Sequence, residues 1–566
     1  MSPLALDPTY RSAALERMRT MTHDILVIGG GVTGAGIALD AAARGLTTAL
    51  VEQRDLSSGT SSRSSKLLHG GLRYLEQYDF GLVREALRER DLHLTTLAPH
   101  LARPVSFLFP LTGAPWERFY VGAGIALYDI LGGARNMPAH RHLTRTGALR
   151  LVPALRADAL RGAIRYYDAQ IDDARHTMEI ARTAASYGAA IATSTRVTGF
   201  LREGERVIGA HLTDLETGET LTVRASQVIN ATGVWTDEVQ ELVGRGRIRV
   251  RASKGIHLVV PRDRIIADSG LILRTERSVL FVIPWGRHWI IGTTDTEWGL
   301  DLAHPAASRS DIDYLLDEVN QVLRQPLTHE DVEGVYAGLR PLLSGESDAT
   351  STLSREHAVA TTAPGLITVA GGKYTTYRVM AEDAVDLAAR SLPGRVPDSV
   401  TDRTPLLGAI GYFALHNRRY DLAAASGLHV VRIEYLLGRY GSLTEELLEM
   451  IADDPSLGDP ITGAEDHLRV EAVYAASHEG ALHLDDVLTR RTRISIETFD
   501  RGVGAAPAVA RLMASVLGWD DDRVAREVAH YEARVTAERE SQRQVDDLSA
   551  DAARLGAPDV RAVSGA

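Results

Sequence analysis

The sequence predicts an α/β fold with three parts: a Rossmann-like unit at its start, a mixed β-sheet domain interleaved with it, and a helical C-terminal domain. Three observations carry this. An apolar run from Asp24 to Ile28 turns through Gly29-Gly30-Gly31-Val32-Thr33-Gly34 into a helical pattern that ends near Arg44-Gly45. A second run, Leu366 to Ala370, repeats the design, with Gly371-Gly372-Lys373 leading into another helix. The intervening segment is rich in strand patterns, and the segment after a Pro-containing stretch from Leu392 to Pro405 is mostly helical.

The glycines have separate physical tasks in the spacing G-x-G-x-x-G. Gly29 permits the tight turn, Gly31 lets a pyrophosphate approach the backbone, and Gly34 lets helix and strand pack closely. The N–H groups of the helix start then face phosphate. The next strand, Thr47 to Glu52, ends on an acid at about the distance, roughly 20 residues, expected of a group that holds a ribose hydroxyl. Glu52 therefore favours an unphosphorylated adenosine ribose.

Composition narrows the chemistry. A chain of 566 residues buries a large core and divides into two or three domains. No run approaches the ~18 apolar residues of a spanning helix, and the N-terminus lacks a basic start followed by an apolar stretch. A cytoplasmic protein, soluble or peripheral to a membrane, is expected. The absence of cysteine excludes disulfides, thiolate catalysis and cysteine-bound metals, so redox work falls to an organic cofactor and no metal site is expected. A net charge of −12 gives no support for nucleic-acid binding. Of 62 basic residues only Lys66, Lys254 and Lys373 are lysines, each beside a glycine-rich or His-containing motif. A coding bias toward arginine accounts for the rarity. A compact ammonium differs from a planar guanidinium in shape and hydration, which gives a functional reason for these exceptions, Lys373 above all.

Along the chain, residues 1–22 read as an extension with at most a short helix. The hydroxyl-rich segment from Asp55 to Ser65 reads as a loop wrapping a cofactor with hydroxyls and backbone donors. His69-Gly70-Gly71-Leu72-Arg73 suits close backbone approach to a flat ring, with Arg73 able to bind an anion bidentately. Residues 80–97 are helical. Trp116, Phe119, Tyr120, Ile125, Leu127 and Tyr128 read as a buried helix with a loop, or alternatively as an amphipathic element at a membrane surface. A strand at Ala163 to Tyr167, a helix at Asp173 to Tyr187 and strands over 193–230 lead to the turn Ala231-Thr232-Gly233. Residues 248–300 are strand-rich, 310–323 helical, and 335–342 a strand on which Arg340 precedes proline. Residues 391–405 form a linker to a helical domain, 406–566, where Gly518 ends one helix and Asp520 caps the next. Val524, Val528, Tyr531 and Val535 recur there at helical spacing, as packing residues.

The glycine fingerprint, the stretch Ser64-Ser65-Lys66-Leu67-Leu68-His69-Gly70-Gly71-Leu72-Arg73-Tyr74-Leu75 and the stretch Gly371-Gly372-Lys373-Tyr374-Thr375-Thr376-Tyr377-Arg378 resemble the FAD-dependent glycerol-3-phosphate dehydrogenases. Lys254-Gly255-Ile256-His257, Ile291-Gly292-Thr293-Thr294-Asp295 and Gly338-Leu339-Arg340-Pro341-Leu342 extend the resemblance. It covers residues 22 to about 390 by motif, and the helical domain by position and length only. It implies a fold of the glutathione-reductase/D-amino-acid-oxidase type over residues 23–390, with the substrate part at roughly 90–160 and 235–345. Gly29, Gly31, Gly34 and Glu52 would hold the ADP half of FAD, with Val197 beside the adenine. Ser61, Ser62, Ser64, Ser65, Lys66, His69, Gly70, Ala231, Thr232, Gly233, Gly371, Gly372, Lys373 and Thr375 would line pyrophosphate and flavin. Arg73, Tyr74, Arg340 and Lys373 would form the substrate pocket, and Arg340, His257 and Lys373 would serve catalysis. Val234 departs from the family, where proline is expected.

The resemblance further implies oxidation of sn-glycerol 3-phosphate to dihydroxyacetone phosphate, hydride passing from C2 to flavin N5 and electrons to a membrane quinone. The protein would be a homodimer docked on the inner face of the cell membrane. A glycerol-3-phosphate oxidase using oxygen is the nearest alternative. An FAD amine or amino-acid oxidase fits less well, because the two cations Arg73 and Lys373 suit a phosphate better than a carboxylate. A flavin-binding sensor is the non-enzymatic alternative.

Overall fold

The computed structural model describes residues 5–561, apart from 77, 112, 114–115, 134–136, 159, 245–247, 276–278 and 345–356 and the side chains of Arg73 and Glu76. The first strand, Thr22–Ile28, lies in an eight-stranded sheet between the parallel strands Thr48–Val51 and Thr220–Asn230. Asn230 is in register with Ile28 on one side and Thr368 of the parallel strand Leu366–Gly371 on the other. The carboxyl ends of these strands therefore open at one level, which in such sheets is where a ligand binds.

The helix Val32–Ala43 covers this sheet and packs between the helices Asp173–Ser186 and Tyr377–Ala389. Gly36 permits that crossing: a Cβ there would lie 2.8 Å from the Tyr377 ring. Ile25, Val27, Ala35, Leu39 and Ala384 share one core beneath it.

A ten-stranded sheet faces the first across a cavity. Its long strand Val250–Pro261 pairs antiparallel with His288–Gly292 and with Gly334–Leu343, placing His257 opposite both Gly292 and Tyr336 and Ser253 opposite Arg340. The strands Arg103–Leu111 and Gly162–Gln170 complete its far half.

Residues 1–22, read from sequence as an extension, contribute an integrated helix, Pro8–Thr20. Asp7 caps it, Ala14 and Met18 are buried, Tyr10 donates to Ala189 O at 2.8 Å and Arg11 pairs with Asp214 at 2.7 Å. Only two of its residues are buried in the core, so its sequence shows almost no apolar periodicity; polar tethers hold it. In the aromatic segment, the helix Glu117–Leu131 buries Val121, Ile125 and Tyr128, while Trp116 at its N-terminus, Phe119 and Ile130 are exposed.

The C-terminal helices include Ala506–Leu517, ended by Gly518 at φ +67°, and Asp521–Ser541, capped by Asp520. Tyr531 and Val535 are buried there, with Val524 and Val528 packed against the same core. Buried ion pairs from the segment 479–493, just before these helices, tie the C-terminal region to the rest of the chain. Asp55 takes Arg490 at 2.6 Å and Arg491 at 2.8 Å, Arg175 meets Glu479 at 2.8 Å, and Arg493 meets Asp172 at 2.6 Å.

Candidate active site

The two sheets enclose a cavity of about 770 Å³, within the range of roughly 300–1,000 Å³ typical of small-molecule sites. At one end it meets the strand ends and their glycine turns. Gly29, at φ +111°, lies so close to the neighbouring turn that a Cβ would come within 2.7 Å of Ala231 O; on Gly34 it would lie 1.9 Å from Gly29 O. Gly31 has more room, with Ser61 Oγ at 3.2 Å from a Cβ placed there. Ser61 Oγ accepts from Val32 N at 2.9 Å, fastening the hydroxyl-rich loop to the helix start. Glu52 lines the cavity and accepts from Gly30 N at 2.7 Å and Arg54 N at 2.8 Å. Burial raises its pKa despite these donors. A carboxylate has about four acceptor positions, so a ribose hydroxyl still finds capacity there. Val197 lies along the same wall with Thr195 and Arg196, and Ala231, Thr232 and Gly233 close it.

Toward the other end, the loop brings Ser64, Ser65 and His69 to the cavity, opposite Gly371, Gly372, Lys373 and Thr375. Thr375 Oγ1 accepts from His69 N at 3.2 Å, joining the two turns. Lys373 Nζ stands 3.5 Å from the centroid of the Tyr74 ring. Gly71 makes room for that ring, since a Cβ would meet it at 2.4 Å.

Arg340 also lines this end, its Nη2 donating to Thr293 Oγ1 at 3.0 Å and to Thr294 O at 3.2 Å, with Asp295 3.5 Å from Nη1. His257 is 2% exposed, stacked on Tyr336 at 4.7 Å and joined through Nε2 to Ser65 Oγ at 2.9 Å. Its Nδ1 is buried and has no protein partner among the described residues. Burial, then repulsion from Arg340 and Lys66, pushes its pKa well below the usual histidine value, so the ring is neutral.

Some expected residues stand behind the wall. Lys66 is fully buried, its ammonium held by Asp173 at 2.8 Å and Ser62 O at 3.1 Å, so its side chain does not line the cavity as expected. Its positive backbone φ of +56° and the capture of its N–H by Ser64 Oγ shape the loop instead. Ser62 likewise contributes its carbonyl to Lys66 and Arg493. Gly70 lies off the cavity, its N–H bound by Tyr128 OH at 2.7 Å. Gly34 acts through packing. Arg73 opens the short helix Arg73–Glu76, and its side chain lies outside the described residues. Lys254 is away from the cavity, clamped to Asp311 at 2.6 Å and to Asp547.

Sequence reasoning did not single out Trp235, Arg274, Phe281 or Asp168, which line the cavity too. Asp168 accepts from Tyr128 OH at 2.7 Å and Arg90 at 3.1 Å, and burial still lifts its pKa to about 6. Arg274, Phe281 and Asp168 come from separate strands without a local motif, and only the sheet pairing brings them together, whereas Trp235 ends the short turn Gly233–Trp235 that directly follows Ala231-Thr232.

The FAD dependent oxidoreductase family (DAO) matches residues 24–378, and the C-terminal domain of alpha-glycerophosphate oxidase (DAO_C) matches residues 399–524. Glycerol-3-phosphate dehydrogenase 2 of Mycobacterium tuberculosis is 63% identical over 99% of this chain and 96% of its own length. The chain belongs to the FAD-dependent glycerol-3-phosphate dehydrogenase family. A mitochondrial glycerol-3-phosphate dehydrogenase from Homo sapiens is 37% identical over 94% of this chain and 76% of its own length. The crystal structure of the Bacillus halodurans glycerol-3-phosphate dehydrogenase complexed with FAD superposes with a TM-score of 0.77 at 30% identity, covering 94% of this chain and 98% of that one.

The cofactor of this dehydrogenase-family chain is FAD, and the residues present fit it. The glycine cradle leaves space that side chains would fill, the helix start and loop hydroxyls suit a pyrophosphate, and the His257 Nδ1 awaits a polar partner.

Proposed function

We propose that this protein oxidises sn-glycerol 3-phosphate to dihydroxyacetone phosphate and passes the electrons to a membrane quinone. The observation that carries this reading is the convergence of Lys373, Arg340 and the neutral His257 on the cavity that also holds the glycine turns. FAD, when bound, supplies the acceptor for the hydride leaving C2.

Lys373 and Arg340 bind the anionic substrate, the ammonium as a compact charge and the guanidinium as a planar donor. Tyr74 keeps the ammonium in place by its ring face, so the lysine is oriented before substrate arrives. Holding the remote phosphate orients C2, an entropic effect able to supply several kcal/mol, part of the ~7–11 kcal/mol available to well-oriented reactions. The neutral His257 ring accepts the hydroxyl proton, with Ser65 and the Tyr336 face fixing its plane. Arg340 stabilises charge developing on the C2 oxygen.

Support for the membrane reading comes from the cavity rim. Tyr78, Phe80 and Tyr120 line the cavity and are exposed, and Trp116 and Phe119 continue the aromatic surface at 66% and 78% exposure. Aromatic side chains of this kind settle at the headgroup level of a bilayer. No described helix is long and apolar enough to cross a membrane.

The test is anaerobic stopped-flow absorbance of the flavin-loaded protein mixed with glycerol 3-phosphate, followed by a quinone analogue or oxygen. Rapid bleaching with fast recovery on quinone alone is expected. Equal recovery in oxygen would move the reading to an oxidase, and absence of bleaching would refute the substrate.

A further inference from the structure

Behind the hydroxyl-rich loop, toward the C-terminal helices, lies a second space of about 110 Å³. Arg63 stands between the two spaces and lines both. Seven of the residues around the smaller one are arginines and three are carboxylates. Most of the arginines are neutralised from behind: Arg490 by Asp55 at 2.6 Å, Arg493 by Asp172 at 2.6 Å and Arg561 by Asp486 at 2.9 Å. Two are not matched in this way. Arg63 donates to Ala303 O at 3.2 Å and has no carboxylate within ion-pair distance among the described residues. Arg554 is 4% exposed; it lies 3.7 Å from Glu538, an acid already held by Arg534 at 2.8 Å, its Nη2 is 3.4 Å from His304 Nδ1, and its Nη1 has no hydrogen-bond partner among the described residues.

Enclosing guanidinium groups with too little counter-charge is unfavourable, and the imbalance shows in their basicity. Burial, then repulsion from Arg534, Arg490 and Arg554, pushes Arg63 down to about 10, and burial lowers Arg554 as well. A guanidinium fork is shaped for a tetrahedral oxyanion. A water needs about 10–15 Å³ of such space, so the cavity accommodates a phosphate-sized ion with some water and excludes a nucleotide.

We propose that this space binds a free oxyanion of the phosphate class between Arg63 and Arg554, separate from the substrate site. Arg63 belongs to the loop whose other face lines the main cavity, so a bound anion ties that loop to the C-terminal helices. The assignment does not depend on the substrate reading.

The experiment is thermal unfolding of the FAD-loaded protein with rising inorganic phosphate at fixed ionic strength. The midpoint is expected to rise by a few degrees in the unaltered protein and in Lys373→Ala, whose main cavity has lost a phosphate ligand, and to stay flat in Arg554→Gln. A flat response in the unaltered protein, or a full response in Arg554→Gln, would overturn the proposal. Should Arg554→Gln fail to fold, tungstate soaked into crystals of the unaltered protein decides: anomalous density between Arg63 and Arg554 is expected, and its absence there refutes the site. AMP is expected to give no Arg554-dependent shift, and a shift equal to that of phosphate would overturn the assignment to a free oxyanion.

Discussion

The Lys373 ammonium lies over the face of Tyr74, 3.5 Å from the ring centre, at a point where Gly71 leaves no side chain to intervene. A cation held on an aromatic face gains about 0.5–2 kcal/mol, so Tyr74→Leu is expected to raise the KM for glycerol 3-phosphate by roughly 2- to 30-fold. Tyr74→Phe, which keeps the ring, should stay near the unaltered value. Lys373→Ala is expected to lower substrate affinity and flavin reduction together; an unchanged reduction rate in stopped-flow would remove the lysine from the mechanism.

His257 is held neutral by burial and by Arg340. His257→Gln keeps a polar group beside Ser65 but removes the proton acceptor. Loss of a general base costs typically about 10²–10⁴-fold, and kcat is expected to fall by that order and to lose its dependence on this ring across the pH profile. Normal turnover at every pH would leave His257 a structural residue.

Gly31 and Gly34 separate cofactor binding from folding. A Cβ on Gly34 would lie 1.9 Å from Gly29 O, so Gly34→Ala is expected to damage the unit itself and lower the melting temperature of the apoprotein. Gly31 has an ordinary φ of −75° and a contact of 3.2 Å to Ser61 Oγ. Gly31→Ala should therefore fold with a near-normal circular dichroism spectrum while retaining less flavin absorbance, because its methyl group occupies the pyrophosphate approach. Full flavin retention would contradict the assigned phosphate position.

The aromatic rim provides a test of membrane docking. Trp116→Ser combined with Phe119→Ser removes two exposed side chains without touching the helix's buried residues Val121, Ile125 and Tyr128. Sedimentation with liposomes is expected to fall several-fold, with reduction of a water-soluble acceptor unchanged. Equal sedimentation would show that another face meets lipid.

His483 joins Glu216 and Glu527, both at 2.9 Å, across the junction with the C-terminal helices. Against burial and repulsion from Arg561, these carboxylates hold the histidine pKa up at about 9. A raised histidine pKa stabilises the folded state fully below the unfolded value of about 6.5, and that contribution is lost as pH rises through about 9. The upper bound is on the order of 3 kcal/mol, counted once for the cluster. Unfolding midpoints measured from pH 6 to 10 should fall across this window, and His483→Gln should flatten the fall. An equal fall in the variant would place its cause elsewhere.

The glycine-rich strand ends could be read from sequence because each is a local device: the turn, the helix start and the packing contact lie within a few residues of one another. Lys373 and Arg340 were found for the same reason, each embedded in a short motif. Lys66 and Lys254 carried equally distinctive neighbours, yet their partners, Asp173 in one case and Asp311 with Asp547 in the other, are remote in the chain. A lone lysine beside glycine does not reveal whether its acid lies on a distant helix or its substrate lies in a pocket. The helix Pro8–Thr20 reads from sequence only as a short helix in an extension, because backbone and side-chain hydrogen bonds tie it to the fold where an apolar stripe usually would.

The pairing of Asp55 with Arg490 and Arg491 links residues more than 430 positions apart. During synthesis, the loop beside the cofactor leaves the ribosome long before the arginines that anchor it exist. The early βαβ unit can form as it emerges, but the hydroxyl-rich loop gains its final supports only when almost the whole chain is available. Full bracing of the cofactor cleft is thereby a late event of maturation, and a chain interrupted before Arg490 would present that cleft with one wall unbraced.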